Sequence, residues 1–162
     1  MKIRSARFDE ERRRYQLIFT CEDCAHFVPD SGAFDGARTF GEQVRHLGTV
    51  LQLSAVVLTG SGPPFPPGKA NNGPEAVQGR DATIRFLRDS FTVARESIQT
   101  LTDANHMAKV QSLFGPVPRS SIAVSLLAHS YNHYGQMTVY ARLNGIVPPG
   151  SVEHERGRGD FR

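Results

Sequence analysis

An all-α, bundle-like fold is the class this sequence predicts, on two observations. Three long stretches carry apolar residues at the three-and-four spacing of an α-helix, each with recognisable start or stop signals. The first two are joined by "GSGPPFPPGKANNGPEAVQGR", dense in Pro and Gly and without a usable period. The 162 residues suffice for one domain with a sizeable core and are too few for two ordinary ones.

The N-terminal 36 residues admit two readings. Around "RRYQLIFTCEDCAHF", Ile18, Cys21, Ala25 and Val28 recur at helical spacing, while Tyr15, Leu17 and Phe19 alternate as in a strand. A turn, "PDSG", follows. The first clear helix begins at "TFGE", where Thr39 and Glu42 form a capping box. Phe40, Val44, Leu47, Leu51, Ser54 and Leu58 make its stripe, and Val50, Leu53 and Val57 widen the apolar face, so burial on more than one side is expected. "TGSGPP" ends it. The next helix is expected after Asp81 as N-cap, with Ile84, Leu87, Phe91, Ala94, Ile98 and Leu101 inward. The last follows "PVPRSS", with Ser120 or Ser121 as cap, and stops at Asn144 and Gly145 before Pro148 and Pro149. Its inner stripe is Ile122, Leu126, His129, His133, Met137 and Tyr140.

The long loop has a physical reason if it is a crossover. Parallel neighbours oblige the chain to return along a helix of roughly 30 Å, which about twenty residues at ~3.4 Å each can do. A short loop would imply antiparallel neighbours. The segment "VEHERGRGDFR" reads as a disordered tail. The expected division is therefore residues 1–36, a helical domain over 37–150 and a tail over 151–162.

Composition excludes several function classes. Apolar content is 39%, charged content 22% and net charge +3, which suits a globular domain. Arginines gather at positions 12–14 and in the tail without interleaved aromatics, so no nucleic-acid surface is expected. Two cysteines make no disulfide framework, and the start lacks the apolar core of a secretory signal. The richest apolar run, "VLQLSAVVL", is far short of the ~20 residues that span a bilayer. No membrane partner and a cytoplasmic location are the expectations.

The chemistry lies in "HSYNHYGQ". His129 and His133 are four apart, on one helix face, and neutral imidazoles are common ligands for zinc-like ions. Taken alone, such a pair fits two hydrogen-bonded core histidines equally well. His46, about two turns into the first clear helix, would lie near the middle of an antiparallel last helix. Three imidazoles from two helices make a three-ligand metal site with coordination positions to spare, the pattern of catalytic sites.

At these residues the chain resembles a known family. "RTFGEQVRHLGTVL" with "LLAHSYNHYGQMTVYARLNGIVPPGS" is similar to the DinB/YfiT-like bacterial metalloenzymes, over about residues 37–151. Members carry one His in the second helix of a four-helix bundle and H-x-x-x-H in the last, matched here by His46, His129 and His133. The resemblance implies an up-down-down-up bundle whose second and third helices run parallel with a long crossover. It also implies a divalent ion (Zn, Ni or Fe) and activities such as thiol-dependent S-transfer or isomerisation. Residues 1–36 fall outside it, so the first helix is expected to be atypical or to be replaced by a partner chain, with a homodimer as one outcome. Part of Phe8–Phe27, anchored by Ile18 and Phe19, is the expected cover of the open seam.

"CEDCAH" does not fit covalent haem, because Ala25 separates Cys24 from His26, nor a closed zinc knuckle, which needs a second Cys pair. Two reduced thiols, an incomplete or intermolecular metal site and a redox pair all remain readings of it. Glu42 is a candidate fourth ligand or general base as well as a capping residue. Gln136 is a candidate hydrogen-bonding partner for a ligand or substrate. His106 and His154 are expected to be solvated. The function expected is that of a metal-dependent thiol transferase or hydrolase, in which the ion lowers the pKa of a bound thiol or water. A small molecule, including a low-molecular-weight thiol, is the expected partner. The alternative is a non-catalytic metal-binding stress or regulatory protein in which the ion is structural.

Overall fold

The computed structural model describes residues 38–62, 66–148 and 150–151. Its first helix, α1, spans Phe40–Thr59. The capping box is present: Thr39 Oγ1 accepts from the Glu42 amide at 3.2 Å, and Glu42 Oε2 accepts from the Thr39 amide at 2.8 Å. The expected stripe of Phe40, Val44, Leu47, Leu51 and Leu58 is buried. The second buried side is not the expected one. Val50, Leu53 and Val57 are only half-buried, while Gln43, Thr49 and Gln52 are buried. Partners explain the polar choice, since Gln52 Nε2 donates to Ser90 Oγ at 2.9 Å and Gln43 faces a histidine.

The second helix, α2, spans Arg80–Gln99 and runs parallel to α1. Contacts climb together along the pair: Gly48 lies against Phe86, Gln52 against Ser90, and Thr59 shares a groove with Thr100. Gly48 lets the two helices approach, because a Cβ there would come within 2.7 Å of Phe86 Cε1. The expected crossover follows. The loop leaves the C-terminal end of α1 at Gly60, yet Asn71 to Gly73 lie back against Arg38, Arg45, His46 and Thr49. Asp81 is not the N-cap. α2 starts one residue before it, with Gly79 in the cap position, and Asp81 lies in the first turn beside Arg80 at 3.6 Å. Gly79 O accepts from the amide of Thr83, the first regular helical bond, and from its hydroxyl, and no side chain caps the turn.

Between α2 and the last helix stands a hairpin that helical periodicity did not reveal. Strands β1 (Lys109–Ser112) and β2 (Gly115–Pro118) pair antiparallel, with Val110 opposite Val117. Its tip exposes Leu113 and Phe114. The third helix, α3, spans Arg119–Leu143 and starts directly from β2. Neither Ser120 nor Ser121 caps it. The Arg119 and Ser120 amides donate to Ala108 O and His106 O, so the preceding loop satisfies the donors a cap would have served. His106 is accordingly half-buried, its Nδ1 within 3.2 Å of Thr102 O and 3.0 Å of Asp103 O.

α3 runs antiparallel to α1. Ile122 packs near Leu58, His133 meets Gln43, and Tyr140 donates to Arg38 O at 2.6 Å. The main core joins Leu47, Leu51, Phe91, Leu126 and Met137, each fully buried and worth roughly 1.5–3 kcal/mol of transfer free energy. Among the described residues the fold is thus three α-helices, a short 3-10 helix over Lys69–Asn71 and one small hairpin, mostly helical as expected. No described helix is long and apolar enough to cross a membrane. The expectations for residues 1–36, Cys21, Cys24, His26, Pro149 and the tail beyond Ser151 lie outside the described residues.

Candidate metal centre

His46 sits on α1 and His129 and His133 on α3, and the antiparallel crossing of these helices brings the three rings together. Ring centroids lie 5.3 Å apart for His46 and His129, 4.8 Å for His46 and His133, and 4.4 Å for His129 and His133. One nitrogen from each ring falls within 4.8 Å of the others. An ion with nitrogens at ~2.1 Å in tetrahedral directions needs them ~3.4 Å apart, a contraction that side-chain rotation can supply.

The hydrogen bonds decide which nitrogens face inward. His46 Nδ1 lies 2.9 Å from Asn71 O, and a carbonyl only accepts, so Nδ1 carries the proton and Nε2 keeps its lone pair. His133 Nδ1 lies 2.7 Å from Gln43 Oε1, with the same consequence. His129 Nε2 is buried and has no hydrogen-bond partner. A buried imidazole nitrogen without a partner costs free energy unless something fills the site. A divalent ion is one group that fits this donor set: three neutral imidazoles, two of them held from behind by carbonyl-type oxygens.

Electrostatics keep the rings neutral. Burial is the main cause, pushing His129 down to about 4 and His133 to about 3. The neighbouring histidines add to both shifts, and Arg38 adds to them further. His46 is lowered too, by burial first, against the Asn71 hydrogen bond, which raises it, and with Arg38. Neutral rings at pH 7 are the form that binds metal.

The two secondary candidates lie elsewhere. Glu42 spends Oε2 on the Thr39 amide and Oε1 on Asn72 Nδ2 at 3.3 Å. Gln136 donates to Asn132 Oδ1 at 3.3 Å, on the exposed side of α3. Among the described residues no carboxylate or thiol joins the histidine group. The groove of about 380 Å³ at the far ends of α1 and α2, lined by Gln52, Val56, Val93 and Glu96, touches none of the three rings.

Sequence reasoning missed Gln43 and Asn71. Gln43 precedes His46 by one turn, a spacing that could have marked it as a neighbour. Asn71 gave no signal beyond the turn-forming "NNG", because its role is carried by a backbone carbonyl and depends on where the loop lands.

Comparisons with known proteins agree with the fold. A family model described as the DinB superfamily matches residues 7–137. That match reaches thirty residues upstream of the motifs visible at residue level (37 − 7) and so takes in most of the N-terminal segment. The crystal structure of a DinB-like protein from Bacillus cereus ATCC 10987 is similar in fold, with a TM-score of 0.61 and 23% identity. The similarity covers 86% of this chain and 89% of that one. No curated protein matches.

Proposed function

Since this chain belongs to the DinB superfamily, we propose that it is a divalent-metal protein whose ion is held by His46, His129 and His133. The observation that carries the reading is the convergence of three imidazole nitrogens within 4.8 Å, one of them buried without a partner. Asn71 O and Gln43 Oε1 hold two of the rings in the required tautomer. The bound ion supplies Lewis acidity that lowers the pKa of a coordinated thiol or water. A thiol transferase or a hydrolase would use the site in that way, with a small molecule or a low-molecular-weight thiol as partner and Zn, Ni or Fe as the metal. In this reading the bundle is the four-helix, up-down-down-up arrangement that the family resemblance implies.

Burial of His46 (8% exposed) and His133 (3% exposed) favours a second reading, in which the ion only ties α1 to α3. The experiment is elemental analysis of untagged protein, followed by titration with low-molecular-weight thiols. About one ion per chain is expected, and His133→Ala is expected to lose it, because two imidazoles hold a divalent ion weakly against buffer ligands. A metal spectrum that shifts on thiol addition supports the enzyme; an ion that ignores thiols supports the structural role. Wild-type protein without metal ends both.

A further inference from the structure

α3 is apolar on two opposite sides. Leu126, His133 and Met137 are buried in the core. Val124, Ala128, Tyr131, Gly135, Val139 and Leu143 recur every three or four positions on the other side, and all six are exposed. Val124 is 68% exposed, Val139 54% and Leu143 77%. A helix face turned to water ordinarily carries charge, as α2 does with the exposed Arg85, Arg88, Asp89 and Glu96. From Ser120 to Ala141, α3 contains no Asp, Glu, Lys or Arg at all. Loss of charge with a retained tyrosine is the composition of the core of a protein interface.

Gly135 is an independent sign of a close neighbour. Glycine inside a helix weakens it, and a Cβ at this position would meet nothing within 4 Å, unlike one at Gly48. The packing of this chain therefore does not call for a glycine there, whereas a second helix lying across the face does. The stripe is also complementary to itself. Two copies of α3 laid antiparallel, about a two-fold axis midway between Tyr131 and Gly135, set Tyr131 of each over Gly135 of the other. The same register sets Val139 over Ala128 and Leu143 over Val124. A larger side chain meets a smaller one in every pair, and each pair occurs twice, as a closed two-fold contact requires.

We propose that the outer face of α3 is the interface of a homodimer, in which two copies of this chain pack α3 against α3, antiparallel across a two-fold axis. The area suits that occupant. At roughly 100 Å² for each large side chain, Val124, Tyr131, Val139 and Leu143 offer about 400 Å² of apolar surface per copy. A standard interface buries ~800 Å² per partner, of which ~57% is apolar. The exposed Ser125 and Asn132 flank the stripe and begin its polar rim. The face lies across α3 from the buried His133, so the dimer stands whether or not the metal reading does.

The test is sedimentation equilibrium of the full chain over a concentration series, with circular dichroism to check that each variant folds. Wild type is expected to form a dimer with a micromolar Kd. Ala128→Lys and Val139→Glu each bring a charge into an apolar contact, and each is expected to weaken the dimer at least tenfold. The two positions lie about three turns apart in one chain, too far to pair within it. In the antiparallel dimer they face each other, so a chain carrying both changes is expected to recover most of the affinity at low salt. A wild type that is monomeric at every concentration overturns the proposal, and is the result expected if a different protein occupies the face. A dimer that both single variants leave intact lies on another surface and overturns it as well. Loss in both single variants without recovery in the double variant overturns the antiparallel register. If Ala128→Lys does not fold, Val139→Glu and Leu143→Glu carry the test, and a dimer unaffected by either overturns the proposal.

Discussion

His133 donates Nδ1–H to Gln43 Oε1 at 2.7 Å, and Gln43 is only 5% exposed, so water cannot readily replace the acceptor. Removing it by Gln43→Leu leaves a buried N–H unpaired, at about 1–3 kcal/mol, and frees the ring to turn. Metal affinity is expected to fall about 10–100-fold in a competition titration with a chromophoric chelator. Gln43→Glu keeps an acceptor and is expected to retain affinity. Equal affinity in the leucine variant would show that the ring is held by packing alone. At this scale His46, His129 and His133 were legible in the sequence, because ligand residue type and i,i+4 spacing are local facts. Gln43 and Asn71 were not, because their partners lie 90 and 25 positions away.

The crossover loop is the element on which the site depends most. Gly68 (φ 73°) and Gly73 (φ 84°) both take left-handed conformations, and the Gly73 amide donates to Pro67 O at 3.1 Å. A Cβ at Gly68 would run into the Gly73 carbonyl oxygen, so Gly68→Ala meets strain and a clash at once. A loss of about 1–3 kcal/mol is expected, read as a fall in melting temperature of about 2–4 °C per kcal/mol. Metal affinity should fall with it, since Asn71 leaves its place behind His46. Gly62→Ala, where an added Cβ has nothing within 4 Å, is the control and should change neither. The loop's role as a crossover was readable from its length. Its grip on Arg38, Arg45 and His46 was not, since no period or composition marks a carbonyl that lands correctly. The start of α3 escaped for a related reason: backbone carbonyls of the preceding loop took the place of the side-chain cap that sequence rules look for.

Across the whole molecule, the histidine cluster links stability to pH. In the metal-free chain His129 and His133 titrate at about 4 and about 3, and His46 is also lowered, against 6.5 in the unfolded chain. The unfolded state therefore binds more protons as pH drops below 6.5, and folding stability falls with it. The slope is about 1.4 kcal/mol per pH unit for each ring that stays neutral while its unfolded counterpart is protonated. Denaturant midpoints of metal-free protein are expected to be flat above pH 7 and to decline from about 6.5 towards 4. Replacing His133 by Gln should flatten that decline. An unchanged profile in the variant would mean that this ring is not the source.

Within the described residues, sequence alone determined three helices, the inward faces of α2 and α3, the parallel sense of α1 and α2, and the identity of the three histidines. Each of these follows from periodicity, loop length or residue chemistry, which are properties of neighbouring positions. Tertiary structure decided the hairpin over 109–118, the polar second face of α1, the pairing of Gln43 with His133, and the seating of Asn71 behind His46. Those features need partners from distant parts of the chain, and a buried polar group is tolerated only where such a partner arrives. Local pattern can mark the groups that need partners, and only the folded chain supplies them.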